Sequence, residues 1–210
     1  MDEIHWLGEQ TELDDQLAKL EAAIPLAVKL QRENGDTNGA LNALTPIINQ
    51  AICMDTPKNS RASCSRAYVL EQAFDKARLI YKRANMPHEA VASGMVSYFM
   101  GIKRESAGAD FDAAQAAEQR SMSYQEFFCH DEEDRKEAEQ RALDYESYAK
   151  EGLVQATARL TDAFILAEAE RLLKQMKLDV ALAKNISAAV SQPPNNPWEL
   201  FNVVMSALGH

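Results

Sequence analysis

Residues 12–33 read ELDDQLAKLEAAIPLAVKLQRE. Leu13, Leu17, Leu20, Ile24 and Val28 recur at steps of three and four with polar residues between them. At 100° per residue that spacing gathers them on one side of a helix. The stretch therefore predicts a helix over residues 12–33 that turns its apolar side to a core. Pro25 stands inside it. Lacking an N–H, it deletes one backbone hydrogen bond and predicts a kink.

The same period runs outward along the chain. After the turn ENGD (33–36), a second helix opens near residues 36–38 and carries Leu41, Leu44, Ile48 and Ile52. Pro46 interrupts it, with Thr45 offering a fresh N-cap. Beyond a loop holding Pro57, a third helix is expected over residues 63–84, with Ala67, Leu70, Phe74, Ala77 and Tyr81 on one face. Pro87 suits the first turn of the next helix and Glu89 favours its positive end. Val91, Met95, Tyr98, Phe99 and Ile102 form that helix's core side. ESAGAD (105–110) reads as a break, with Asp110 capping a fifth helix over residues 111–128. From Asp131 the pattern runs on as one long helix to Met176, weakened only at Gly152, and a further helix covers residues 179–191.

No stretch reads as a strand. The expected fold class is all-α, with about seven to nine helices as antiparallel hairpins in a compact bundle or a short solenoid. One helical domain would occupy residues 1–192, a Pro/Asn spacer residues 193–197, and an apolar helix residues 198–210.

The solenoid option comes from two blocks fifty residues apart, KLQRENGDTNGALNALTPIINQAI (29–52) and LIYKRANMPHEAVASGMVSYFMGI (79–102). Ala40 meets Ala90, Leu41 meets Val91 and Ile52 meets Ile102. Each block resembles the turn and second helix of a tetratricopeptide-type hairpin, in which a small residue after the turn lets the helices close. The tryptophan, glycine and proline signposts of that family are absent, and two unrelated hairpins of similar length are the preferred explanation of the match. A second regularity is Ala142, Ala149, Ala156 and Ala163, spaced by seven, with Tyr145, Gly152, Leu166 and Leu173 three residues on and Arg159 interrupting that row. An alanine seam of this kind lets another helix approach closely.

The chain has 210 residues and a formal net charge of −10, with a sequence pI of about 4.9. Long-range repulsion argues against direct binding to nucleic acid or to an anionic membrane. The N-terminus places acidic residues where a signal peptide needs basic ones, and no run of roughly 20 apolar residues suits a membrane span. The cytoplasm is the expected location, although specialised secretion systems export chains without a readable signal. Cys53 and Cys64 bracket a polar loop that a disulfide would close. With Cys129 left over, reduced thiols are the expected state.

The densest polar cluster is EFFCHDEEDRKE (126–137). All-helical HD-type phosphohydrolases hold a divalent metal with scattered histidines and aspartates. His88, His130, Asp131 and Asp162 would be the corresponding set here, with the metal activating water. The set is too small and too loosely spaced for a signature, and the acidic cluster reads first as a helix start, with His130 or Asp131 as cap. No cofactor is expected. Residues 131–151 hold nine acidic and four basic side chains, half the net charge. Such a run is either a solvated face or a decoy that inhibits a nucleic-acid-binding protein.

At the C-terminus, Asn196 suits an N-cap, Pro197 a first helical position and Gly209 a stop. Trp198, Phe201, Met205 and Leu208, with Leu200, Val203 and Val204, fill roughly 220° of the helical wheel, far more than an ordinary surface helix needs. A helix of about a dozen residues is marginal alone, so it must dock, either on its own body or on a partner. The expected function is non-catalytic protein binding, as an adaptor, chaperone-like or regulatory protein. Trp198, Phe201, Met205 and Leu208 are the candidate contacts, and the partner is another protein or a second copy. The alternatives are the metal-dependent phosphohydrolase and the acidic decoy.

Overall fold

The computed structural model describes residues 2–124 and 131–210, with side chains from residue 12 onward. Among these the chain forms eight α-helices and no strand: α1 Asp2–Asn34, α2 Thr37–Cys53, α3 Arg61–Arg83, α4 Pro87–Ser123, α5 Glu132–Arg159, α6 Asp162–Met176, α7 Leu182–Ala189 and α8 Pro197–Ala207. The all-α expectation holds. Leu17, Leu20 and Ile24 of α1 are buried, as their spacing requires, and the same face continues to Ala27 and Gln31. Gln31 is tolerated there because its Nε2 donates to the Ile80 carbonyl at 2.8 Å. Both α1 and α2 run through their prolines.

Caps follow the chemistry. Asp36 accepts from Gly39 N at 2.7 Å, and Ser60 Oγ accepts from Ser63 N at 3.2 Å. The turns after α1 and α3 are each followed by a fully buried alanine, Ala40 and Ala90. α1, α2 and α3 pack together, and α3 runs antiparallel to the first half of α4. α6, α7 and α8 close the other side. Phe74, Leu44, Ile48, Ile80, Met95, Met100, Leu172 and Leu173 fill one continuous core.

Two expectations about helix ends are corrected. The break at residues 105–110 does not exist: α4 is continuous over 37 residues, and Asp110 lies exposed within it, capping nothing. Gly108, the one glycine in that stretch, is backed by α3, as is Gly101 before it. A β-carbon on Gly101 would lie 3.2 Å from Glu71 Oε1, and one on Gly108 would lie 3.9 Å from Cys64 Sγ. Neighbouring helices thus support backbone that intrinsic propensity disfavours. The expected fifth helix is therefore the second half of α4 up to Ser123, and residues 125–128 fall outside the described residues.

The long helix from Asp131 to Met176 is also two helices. Leu160 and Thr161 form a turn in which Thr161 Oγ1 donates to the Ala158 carbonyl at 2.9 Å, and Thr161 is the extended residue preceding α6. Gly152, the suspected weak point, stays helical. The alanine seam holds for Ala142 and Ala156, which are buried, gains Ala138, and ends before Ala163, which is exposed on α6. Cys53 and Cys64 are free thiols; Cys129 falls outside the described residues. Among the described residues no helix is long and apolar enough to cross a membrane.

Candidate functional site

α8 lies on the protein's own body. Asn196 Oδ1 caps it by accepting from Trp198 N at 2.8 Å. Leu200, Val204 and Leu208, one turn apart, point into the core and are 6 % exposed or less. The larger side chains Trp198, Phe201 and Met205 form half-buried shoulders packed against that core. Trp198 meets Phe74 edge-on at 5.1 Å between ring centroids, and its Nε1 donates to Asn49 Oδ1 at 2.8 Å. Phe201 sits 6.4 Å from Tyr81. The spacer is tied down as well, because Lys103 Nζ donates to the Asn195 carbonyl at 2.9 Å. Burial, helped by Arg66, holds the Lys103 ammonium below its usual range. The wide apolar arc thus has an internal explanation, and the i, i+4, i+8 row Leu200, Val204 and Leu208 was the sequence signal for its deepest side.

A different region carries large apolar side chains in the open. α3 begins beside residues 104–108 of α4, so α4 outruns its partner beyond that level. There α5 packs almost wholly on α4 and touches α6 only at its end. The pair is antiparallel: Gly152 lies against Ala109, and Arg120 pairs with Glu146 at 2.5 Å. Only Ala156 of α5 belongs to the main core. Residues 109–123 of α4 with the facing part of α5 form a two-helix arm that extends ~20 Å at about 1.5 Å per residue. Its interior is Ala109, Ala116, Ser123, Ala138 and Ala142.

Charges brace the root of the arm. Arg159 at the end of α5 pairs with Glu105 and lies 4.7 Å from the centroid of the Tyr98 ring, while Tyr98 Oη donates to the Arg159 carbonyl at 2.6 Å. Arg104 pairs with Glu71 of α3 at 2.8 Å. Burial pushes the Glu71 carboxyl above its usual range, although Arg104 and Arg159 pull it down. Arg159, which in the sequence merely spoils a seven-residue row, is the residue that joins α5 to the body.

The outer surface of α5 is unusual. Leu143, Leu153, Val154 and Leu160 fall within about 120° of arc, and they are 54 %, 55 %, 68 % and 47 % exposed. Phe164 at the start of α6, 54 % exposed, follows them. In the next sector of the same helix stand the exposed carboxylates of Asp144 and Glu151, beside the row, and of Glu133 and Glu137, before it. Sequence reading missed the row because Glu146 and Lys150 interrupt it and the alanine seam dominates the periodicity. Residues 109–152 hold thirteen acidic and five basic side chains, −8 of the chain's −10.

The described residues of the metal alternative, His88, Asp131 and Asp162, are distributed over separate helix starts. His88 is in the first turn of α4, with its ring 4.1 Å from that of His210. Asp131 caps α5, accepting from Glu133 N at 2.8 Å and Asp134 N at 2.9 Å. Asp162 opens α6, and His130 lies outside the described residues. Among the described residues no three histidine, cysteine or carboxylate side chains are gathered as a metal site would require. Compared with known proteins, the chain matches no family model, no curated protein and no solved structure.

Proposed function

We propose that this is a non-catalytic binding protein, an adaptor, chaperone-like or regulatory helical bundle, and that the α4/α5 arm is the part that engages another protein. The observation that carries the reading is the solvent-facing row Leu143, Leu153, Val154 and Leu160 on a helix that packs chiefly on α4. Single exposed leucines are ordinary, but an aligned row of them on a protruding helix is a binding surface in want of a partner. The internal seating of Trp198 and Phe201 supports placing the contact on the arm and not on α8.

Paired affinity capture from the native cell tests it, comparing the natural chain with a Leu143→Ser/Leu153→Ser/Val154→Ser variant. These side chains are exposed, so the variant keeps its circular dichroism and its melting temperature within a few degrees. A protein captured by the natural chain and lost from the variant supports the reading. Identical captures refute it.

A further inference from the structure

Resting on the binding reading above, we infer that the outer row of α5 receives a basic amphipathic helix supplied by a different protein. The shape of the surface selects a helix. From Leu143 to Leu160 the side chains lie along one helix and its C-cap for ~25 Å at about 1.5 Å per residue, interrupted by Glu146 and Lys150, and among the described residues there is no sheet edge to offer an extended peptide. A partner helix of about five turns would present leucine-like side chains to the row at three- and four-residue steps.

Charge then selects the partner's chemistry. Lys150 stands between Leu143 and Leu153, but the exposed carboxylates of Asp144 and Glu151 flank the row, those of Glu133 and Glu137 continue the same sector before Leu143, and the sequence from 109 to 152 carries −8. A second copy would bring the same −8 against it, which the field of two parallel acidic arms opposes. A nucleic acid would be repelled for the same reason. Lysine or arginine along one flank of an incoming helix would meet these carboxylates, while its apolar side covers Leu143, Leu153 and Val154. The contact would then be steered by charge and held by burial.

Designed peptides test the inference without knowledge of the natural partner. Three helical peptides of about eighteen residues are compared by calorimetric titration into the full chain: one with leucines at heptad spacing and lysine flanks, one with the same leucines and glutamate flanks, and one with lysine flanks and serines for the leucines. Only the first is expected to bind, weakening about tenfold or more between ~0.1 M and ~0.5 M salt. Leu153→Ser/Val154→Ser, which leaves every charge in place, is expected to weaken it by about tenfold as well. The inference is overturned if the serine peptide binds as tightly, if the glutamate peptide binds equally, or if the double variant keeps full affinity. It is also overturned if sedimentation shows a dimer of the natural chain that the double variant abolishes. Should the peptides fail while paired capture still depends on the row, the binding reading stands and the basic helix falls.

Discussion

Gly94 and Gly152 are both helical glycines facing a neighbouring helix, yet alanine at the two positions should have opposite effects. A β-carbon on Gly94 would lie 2.7 Å and 2.9 Å from the two methyls of Leu172, a side chain fully buried between α4 and α6. Overpacking there costs about 1–3 kcal/mol against a helix-propensity gain of about 1. Gly94→Ala should lower stability by about 1 kcal/mol in urea unfolding. On Gly152 the nearest atom would be the Ala109 β-carbon at 3.3 Å, and α5 packs chiefly on α4. A small shift relieves the contact, so Gly152→Ala should raise stability by a few tenths to about 1 kcal/mol. At the arm's root, Glu71 makes a pH prediction. Its carboxyl is raised above the ordinary value of 4.5, chiefly by burial. A raised carboxyl contributes stability that is full below 4.5 and is lost as pH rises through the higher folded value. Glu71→Gln should remove that component. The stability of the variant relative to the natural chain, measured by urea unfolding from about pH 4 to about pH 7, should therefore rise with pH.

The two halves of α4 live in different surroundings, and their dynamics should differ accordingly. The first half is buried with Val91, Met95, Val96 and Phe99 at 2 % exposure or less, while the second half is held by alanines against α5. Alanine buries little area, so the arm opens at far lower free energy than the body. Amide hydrogen exchange should be on the order of 10²-fold faster in residues 110–123 and 132–150 than in residues 90–102. Equal protection would mean that the arm is as stable as the core. α8 behaves as part of the body. Docking its large side chains contributes roughly 1.5–3 kcal/mol each, against an ordering cost of about 1–2 kcal/mol per residue. Removing residues 193–210 exposes the surface beneath Leu200, Val204 and Leu208. The truncated chain should lose its cooperative thermal transition or show it lowered by 10 °C or more, on the order of a few kcal/mol. An unchanged transition would make α8 an appendage.

Over the whole molecule, the charge is divided as sharply as the packing: −8 resides on residues 109–152 and −2 on everything else. The helical class was legible because the spacing of Leu17, Leu20 and Ile24, and of Leu70, Phe74 and Ala77, reports a buried face directly. The starts of α4 at Pro87 and of α5 after Asp131 were legible too, but the continuity of α4 through residues 105–110 was not, because a glycine breaks a helix only when nothing packs against it. Gly101, Gly108 and Gly152 are all backed by a neighbour. Thr161, which does end a helix, looks like any other polar residue until the Arg159–Glu105–Tyr98 brace beside it is seen. The outer row of α5 was hidden for a further reason: apolar residues ordinarily signal burial, and these remain in solvent. That contradiction is the basis of the functional account, and one measurement addresses it most directly. A photo-cross-linking amino acid is placed in the native cell at position 154, within the row, and in a second strain at Lys82, exposed in the last turn of α3 at the end of the body remote from the arm. The account predicts a discrete adduct of another protein from position 154 and none from position 82. No adduct from 154, or the same adducts from both, would contradict it.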